Sequence, residues 1–148
     1  PEPVAWVSER SGLLFSRSYY VSRQSQLPHS YVDIIQGKVD ADLAQRYLVA
    51  VAQTAARLHQ HDCLHADFSR GNILLGEQAD GSVAVELIDL NRLRFRKVSV
   101  EQGCANLSER LPMTAAQRRI VATAYAEVRG ADAAQCEQWL RLYNKEQQ

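Results

Sequence analysis

The stretch "LHADFSRGN", residues 64–72, sets a histidine, an aspartate and an asparagine directly before the apolar run at residues 73–75. The turn-forming sequence Ser-Arg-Gly stands between Asp67 and Asn72, so we expect a loop there rather than a regular helix or strand. Such a loop can fold Asp67 back beside Asn72. The stretch therefore predicts an acid and an amide held together at the start of an apolar strand.

Two strands, at about residues 72–75 and 83–88, are predicted around the pair Asp80-Gly81, which is typical of a two-residue hairpin turn. A two-residue turn places Asn72 opposite Asp89, with their Cβ atoms about 5 Å apart, and a longer turn would shift this register. Amide and carboxylate oxygens at that distance can share one Mg²⁺ ion, which keeps its other positions for water and phosphate. The two strand ends thus predict a magnesium site.

An oxygen-rich site of this kind suits phosphoryl transfer, in which positioning and charge neutralisation dominate the chemistry. One carboxylate orients the attacking hydroxyl, while other ligands hold Mg²⁺ on the transferring phosphate. Asp67, Asn72 and Asp89 supply such a set. The sequence therefore favours a phosphotransferase.

The remaining elements are predicted from the spacing of apolar residues and from capping and turn residues. In chain order we expect a hairpin with strands at 4–8 and 13–21 around the turn at 9–12, a short helix at 31–36, a long helix from Asp40 to about residue 59, an irregular segment at 97–113, a helix from Thr114 to about residue 129 and a last helix from near Asp132. This mixture of helices and hairpins predicts an α+β fold.

Composition limits the classes of protein to which the chain can belong. Its 148 residues are enough for one domain with a real core. The 17 basic and 17 acidic side chains give zero net charge, which argues against a protein that coats nucleic acid, so no nucleic-acid partner is expected. Three scattered cysteines predict reduced thiols in a cytoplasmic protein. The chain begins without methionine, and we expect it to be a piece of a longer protein.

A transition-metal site is a second possibility, because histidine and cysteine bind such metals. The candidate ligands are His59, His61, Cys63 and His65. They straddle a predicted helix end and a strand, so alternate members should point in different directions. The preferred interpretation is that His59 and His61 end the helix, where a positive charge is favoured.

A basic run follows the predicted metal strand and comprises Arg92, Arg94, Arg96 and Lys97. The simplest interpretation is a solvated strand face. The alternative is contact with anionic substrate phosphates or lipid headgroups, which the position beside the predicted site favours.

The pattern His65-x-Asp67-x4-Asn72, followed by "LIDLNRLRF" at residues 87–95, resembles the catalytic loop and metal-binding strand of the protein-kinase-like superfamily. It is similar in particular to the bacterial lipopolysaccharide core kinases, which phosphorylate heptose or Kdo sugars. The preceding "LHQHDCLHADF" is also similar, since that family runs a long helix into such a loop. The resemblance covers about residues 4–129, with its specific motifs at 58–95.

The resemblance implies a role for each candidate residue. Asp67 would be the catalytic aspartate and His65 a structural residue that supports the loop. Asn72 and Asp89 would be the magnesium ligands and would contact the nucleotide through the metal. ATP would be the phosphate donor and Mg²⁺ the cofactor.

The chain also departs from the kinase pattern. Ser69 stands where protein kinases carry a lysine, and Arg70, the nearby cation, is expected to contact the nucleotide instead. Asp89 is followed by Leu90-Asn91 rather than by Phe-Gly. No glycine-rich loop or strand lysine precedes this region, since the first lysine is Lys38.

These features imply a protein-kinase-like C-lobe that is mostly helical, with a short β-hairpin at the metal site and a remnant N-terminal hairpin. Residues 1–28 would be upper-lobe strands and hinge, and residues 29–148 the C-lobe. Without the rest of the N-lobe, the fragment is expected to bind ATP poorly and to be inactive. The acceptor implied is a sugar of lipopolysaccharide core, at the cytoplasmic face of the inner membrane, with peripheral contact to its anionic surface.

Two other functions remain open. A pseudokinase or scaffold lobe would bind a partner without catalysis, which the absent lysine and glycine loop favour and the intact Asp67, Asn72 and Asp89 oppose. A small-molecule phosphotransferase of the aminoglycoside or choline type would share the same loop and differ in its substrate pocket.

Overall fold

The computed structural model describes residues 1–11 and 14–144. Its elements in chain order are β1 (Pro3–Ser11), β2 (Leu14–Ser22), β3 (His29–Ser30), α1 (Tyr31–Ile35), α2 (Ala41–Gln60), β4 (Cys63–His65), β5 (Ile73–Glu77), β6 (Val83–Leu87), a 3-10 turn (Leu90–Arg92), β7 (Leu93–Phe95), α3 (Val100–Ser108), α4 (Ala115–Arg129) and α5 (Ala133–Leu142). The predicted mixed α+β class is confirmed.

The helix α2 is the centre of the core and packs against α4, which in turn packs against α5. It begins as predicted at Asp40, whose carboxylate accepts a hydrogen bond of 2.9 Å from the Leu43 amide. Its buried face consists of Tyr47, Leu48, Val51, Ala52, Ala55, Ala56 and His59. The alanines let α4 approach closely, and the helix ends directly before the loop of residues 66–72.

The strands β5 and β6 form the predicted hairpin, but its register differs from the prediction by one residue. Glu77 pairs with Val83, and the Gln78 amide still bonds to the Ser82 carbonyl at 2.9 Å, so the turn contains three residues and not two. The Asp80 carboxylate accepts from the Ser82 amide at 2.9 Å and stabilises this longer turn.

The predicted pairing of Asn72 with Asp89 is therefore wrong. Asn72 lies opposite Ile88, whose amide donates a hydrogen bond of 3.0 Å to the Asn72 carbonyl. Asp89 is the next residue, beyond the end of the paired strands.

The predicted N-terminal hairpin is confirmed as the antiparallel pair β1–β2, in which Trp6 lies opposite Tyr20. Its predicted turn at residues 9–12 is misplaced, because residues 9–11 belong to β1 and pair with β2. Gly12 and the following Leu13 lie outside the described residues. Large apolar side chains remain exposed on this hairpin, and Trp6 is 66% exposed. The hairpin is thus attached to the helical body without being buried in it.

The segment 97–113 was predicted to be irregular, and this prediction is wrong because it contains the helix α3. Its start is fixed by a capping box: the Gln102 amide donates to Ser99 Oγ at 3.1 Å, and the Ser99 amide donates to Gln102 Oε1 at 3.3 Å. The short strands β4 and β7 lie where strands were expected, after the long helix and along the basic run, but their pairing with each other was not predicted. They bring the start of the loop 66–72 beside residues 92–95.

The other predicted helix limits agree with the structure. Gly37 and Gly130 adopt the left-handed conformation after α1 and α4, with φ of 65° and 61°. Thr114 caps α4 and Asp132 caps α5. Among the helices formed by residues 1–11 and 14–144, none is both long enough and apolar enough to cross a bilayer.

Candidate active site

His65, at the end of β4, fixes the start of the loop 66–72. Its ring is 1% exposed, and its Nε2 lies 3.0 Å from the Ile88 carbonyl, which can only accept, so Nε2 carries the proton. The other nitrogen, Nδ1, accepts from the Asp67 amide at 3.2 Å. The imidazole thereby joins Asp67 to the residue that precedes Asp89.

Asp67 and Asn72 lie together, as the loop composition predicts. The Asn72 side-chain Nδ2 donates to the Asp67 carbonyl at 3.0 Å and to its carboxylate Oδ2 at 3.2 Å. Backbone bonds from Ser69 to Asp67 and from Asn72 to Ser69, of 2.8 and 2.9 Å, close the turn between them. Because Nδ2 is used in this way, the amide oxygen of Asn72 is the atom left to bind a cation.

Asp89 follows β6 in the left-handed conformation, with φ 59° and ψ 48°. Its side chain is exposed, and within the described chain no hydrogen bond joins its carboxylate to Asp67 or Asn72. The bond between Ile88 and Asn72 nevertheless brings it one residue from the pair. Carboxylate and amide oxygens are the donors that Mg²⁺ prefers, so Asn72 and Asp89 fit a magnesium ion by their chemistry.

Arg70 is exposed on the loop and, in the part of the chain that the structure describes, makes no hydrogen bond or ion pair with the other four candidate residues. The cation found beside Asp67 is instead Arg110, which lies just after α3. Its Nη1 donates to Asp67 Oδ1 at 3.0 Å. Sequence reasoning missed Arg110 because it lies 43 residues from Asp67 in the segment predicted to be irregular, where no local pattern indicated it.

A buried chain of hydrogen bonds supports the loop from behind. The Asn106 side chain donates to the His65 carbonyl at 3.0 Å, and its Oδ1 accepts from His59 Nε2 at 3.2 Å. His59 Nδ1 lies 2.9 Å from the Tyr125 hydroxyl, which also accepts from Arg129 at 3.2 Å. Residues of α2, α3 and α4 are thus joined to the loop.

The interpretation of His59 as a positive charge at a helix end is wrong. Burial lowers its pKa to about 4, against a weaker opposing effect of the Asn106 bond. The imidazole is therefore neutral near pH 7. No group of three or more His, Cys, Asp or Glu side chains is placed to hold a metal ion within residues 1–11 and 14–144.

A cavity of about 860 Å³ lies between the β1–β2 hairpin and the segment that follows β6. Its lining is mainly apolar and aromatic and consists of Pro1, Trp6, Ser18, Tyr20, Ser22, residues 87–91, Leu93 and Phe95. Asp89 is the acidic side chain in this wall. A volume of this size, with apolar walls and few polar groups, suits a small-molecule ligand.

The basic run of Arg92, Arg94, Arg96 and Lys97 is exposed along its length. Arg94 lies in β7, opposite Leu64. Arg96 donates to the side chain of Gln102 at 3.0 Å. The run therefore lies on the surface beside the candidate site.

A family model described as the lipopolysaccharide kinase (Kdo/WaaP) family matches residues 1–129. The matched region includes the loop 66–72, Asp89, Arg110 and the cavity, and it ends with the last residue of α4. Comparison with the curated proteins gives no match.

Proposed function

Because the chain belongs to the lipopolysaccharide kinase (Kdo/WaaP) family, we propose that it transfers the γ-phosphate of ATP to a sugar hydroxyl of lipopolysaccharide core. The family is one of kinases. ATP as donor, Mg²⁺ as the metal and the sugar hydroxyl as acceptor are all parts of what we propose. The observation that carries it is the hydrogen bond of 3.2 Å from the Asn72 amide to the Asp67 carboxylate, in a loop that His65 fixes.

In this proposal Asp67 orients the acceptor hydroxyl and accepts its proton as the phosphoryl group is transferred. The bond from Asn72 supports the role because it sets the direction of the carboxylate. His65 positions the loop and takes no part in proton transfer, since both of its ring nitrogens are hydrogen-bonded to backbone atoms.

We further propose that the Asn72 amide oxygen and the Asp89 carboxylate hold Mg²⁺. The ion would neutralise the charge of the donor phosphates. The position of Asp89 in the wall of the cavity supports this assignment, because the backbone bond between Ile88 and Asn72 places that wall next to the loop 66–72. Arg70, exposed on the same loop, would contact the nucleotide.

The cavity is the proposed nucleotide site. Trp6 and Tyr20 offer aromatic surface for the base, and its volume of about 860 Å³ lies within the range of small-molecule pockets. In this assignment residues 1–28 are the upper strands and hinge, residues 29–148 are the kinase-like C-lobe, and the nucleotide lies between them. The exposed basic run at residues 92–97 would face anionic phosphates at the cytoplasmic surface of the inner membrane.

The experiment that tests the proposal is Asp67→Asn in the native polypeptide that contains these residues. With radiolabelled ATP, Mg²⁺ and lipopolysaccharide core acceptor, we expect turnover to fall by about 100-fold or more, while Mg²⁺-ATP affinity is retained. The matched control is Asp42→Asn, which changes a surface aspartate with 85% of its side chain exposed.

Unchanged turnover in Asp67→Asn would rule out the catalytic role. If the parent protein binds Mg²⁺-ATP without transferring phosphate to any core sugar, the scaffold function takes precedence. Transfer to aminoglycosides or choline alone would assign the chain a small-molecule acceptor.

A further inference from the structure

The Asp67 carboxylate is held at both of its oxygens by side chains from different parts of the chain. Asn72 donates to Oδ2 at 3.2 Å, and Arg110 donates to Oδ1 at 3.0 Å. The Asn72 bond is local to the loop. The Arg110 bond depends on the packing of α3, which brings a positive charge to the centre of the candidate site.

The ion pair between Arg110 and Asp67 adds little to the stability of the folded protein. The Arg110 side chain is 56% exposed and that of Asp67 is 27% exposed, and exposed ion pairs contribute less than about 1 kcal/mol. A guanidinium has five N–H donors, and the bond to Asp67 uses Nη1. Much of the group therefore faces solvent beside the carboxylate, where an anion can reach it.

A positive charge at this place would favour the proposed transfer. A carboxylate that accepts a proton from the acceptor hydroxyl lies close to the transferring phosphoryl group, and the two anions repel each other. Ser69 offers no charge, and Arg70 makes no hydrogen bond or ion pair with Asp67 in the described structure. Arg110 is already in contact, and a guanidinium can bind carboxylate and phosphate oxygens at the same time.

We propose that Arg110 is a phosphate-contacting residue of the transfer step, bridging Asp67 and the γ-phosphoryl group; this inference rests on the proposed function. In that step the acceptor hydroxyl oxygen forms a bond to the γ-phosphorus of ATP as the bond from that phosphorus to the β,γ-bridging oxygen breaks. The hydroxyl proton passes to Asp67, and ADP leaves with the electron pair. Arg110 neither gains nor loses a proton, and it stabilises the charge on the transferring oxygens.

The test measures kcat, KM for ATP, KM for the acceptor and the affinity for Mg²⁺-ADP in Arg110→Ala and Arg110→Lys, in the native polypeptide. We expect kcat of Arg110→Ala to fall by about 100-fold. Affinity for Mg²⁺-ADP, which has no γ-phosphate, should change by less than about threefold, as should KM for the acceptor. Lysine should retain an intermediate kcat, because it keeps the charge and loses the two-point contact.

Chemical rescue separates direct contact from a structural role. Millimolar guanidinium should restore part of the lost kcat in Arg110→Ala and should have no effect on Arg119→Ala, the control at an exposed arginine on α4. If Arg110→Ala does not fold, kcat and the affinity for Mg²⁺-ADP are compared between Arg110→Lys and the parent. The kcat of Arg110→Lys should still be lower than that of the parent.

Two results would overturn the inference. An unchanged kcat in Arg110→Ala would show that the arginine does not assist transfer, and an increased kcat would show that it masks Asp67 instead. If Asp67→Asn abolishes turnover while Arg110→Ala retains it, the proposed function stands and only this inference fails. If Asp67→Asn retains full turnover, the proposed function fails first.

Discussion

At the scale of single residues, His59 shows how a buried polar group supports the candidate site. It is 1% exposed, and its neutral ring accepts from Tyr125 and donates to Asn106, which in turn holds the His65 carbonyl. A protonated ring would have to donate through both nitrogens, and the Tyr125 hydroxyl would then have to reorient. The neutral form of His59 is thus part of the support of the loop.

This protonation state predicts a loss of stability in mild acid. The pKa of His59 is lowered from 6.5 in the unfolded chain to about 4 in the folded protein, so between these values the unfolded state binds the extra proton. Stability should therefore fall as the pH is lowered through this interval, with His59 contributing about 2 kcal/mol between pH 7 and pH 5. Urea unfolding at these two pH values measures the difference.

The control for this prediction is a pair of variants. His59→Gln should lose this contribution to the pH dependence, whereas His61→Gln, at an exposed position on the same helix end, should retain it. Identical pH dependence in the parent and His59→Gln would contradict the assignment.

The residues of the site differ in how far sequence can predict them. The proximity of Asp67 and Asn72 follows from a short loop of turn-forming residues, which is local information. Asn106 and Arg110 reach the loop only because α3 folds back against it, 41 and 43 residues along the chain. No periodicity or motif encodes such a contact.

At the scale of elements, the position of α3 depends on Gly103. A Cβ atom at this position would overlap the Tyr125 hydroxyl and would lie 2.6 Å from His59 Nδ1. Only glycine lets α3 approach the His59–Tyr125 pair this closely. The same helix carries Asn106 and leads to Arg110, so its approach sets the positions of both.

Gly103→Ala should therefore destabilise the protein by about 1–3 kcal/mol, since the methyl group must displace buried side chains. Urea unfolding measures this loss. Adding Tyr125→Phe should recover part of it, because the hydroxyl is the nearest obstruction. In the matched control Gly71→Ala, the methyl group meets no atom within 4 Å, and we expect a change below about 1 kcal/mol. Equal stability of Gly103→Ala and the parent would show that α3 can shift without loss.

Elements were predictable from sequence where they are long and clearly capped, as in α2 and α4. The helix α3 was missed, although Ser99 and Gln102 form a capping box, because its nine residues include a glycine. The strands β4 and β7 have three residues each, so the sequence indicated strands there without fixing their pairing. The hairpin turn was misjudged because a side-chain bond of Asp80 stabilises a longer loop than its sequence suggests.

At the scale of the whole molecule, the cavity forms where the β1–β2 hairpin stands over the segment after β6. Trp6 lies in its lining and is 66% exposed. Sequence predicted the α+β class and the family, since both depend on local motifs. It did not predict the cavity, because the approach of the hairpin to Leu93 and Phe95 is a long-range contact.

Nucleotide binding should be visible through Trp6. The 148 residues contain two tryptophans, so within them Trp139→Phe leaves Trp6 as the sole indole. We expect Mg²⁺-ATP to change its fluorescence in a saturable manner, because a base that enters the cavity would cover the exposed ring. A fluorescence titration measures the effect.

Trp6→Phe, which retains only Trp139, is the control and should show no nucleotide-dependent change. Absence of a saturable signal in Trp139→Phe at millimolar Mg²⁺-ATP would argue against this cavity as the nucleotide site.

The left-handed backbone at Asp89 lowers the stability of the folded protein at a residue that the proposed reaction needs. A residue with a side chain in this conformation costs up to about 1–2 kcal/mol, a strain that glycine would relieve. Asp62 has the same conformation, with φ 57°, and has no part in the proposed reaction. Asp62→Gly is therefore the substitution expected to raise the stability of the protein without affecting the reaction. Asp89→Gly would relieve the same strain but would remove the carboxylate proposed to hold Mg²⁺.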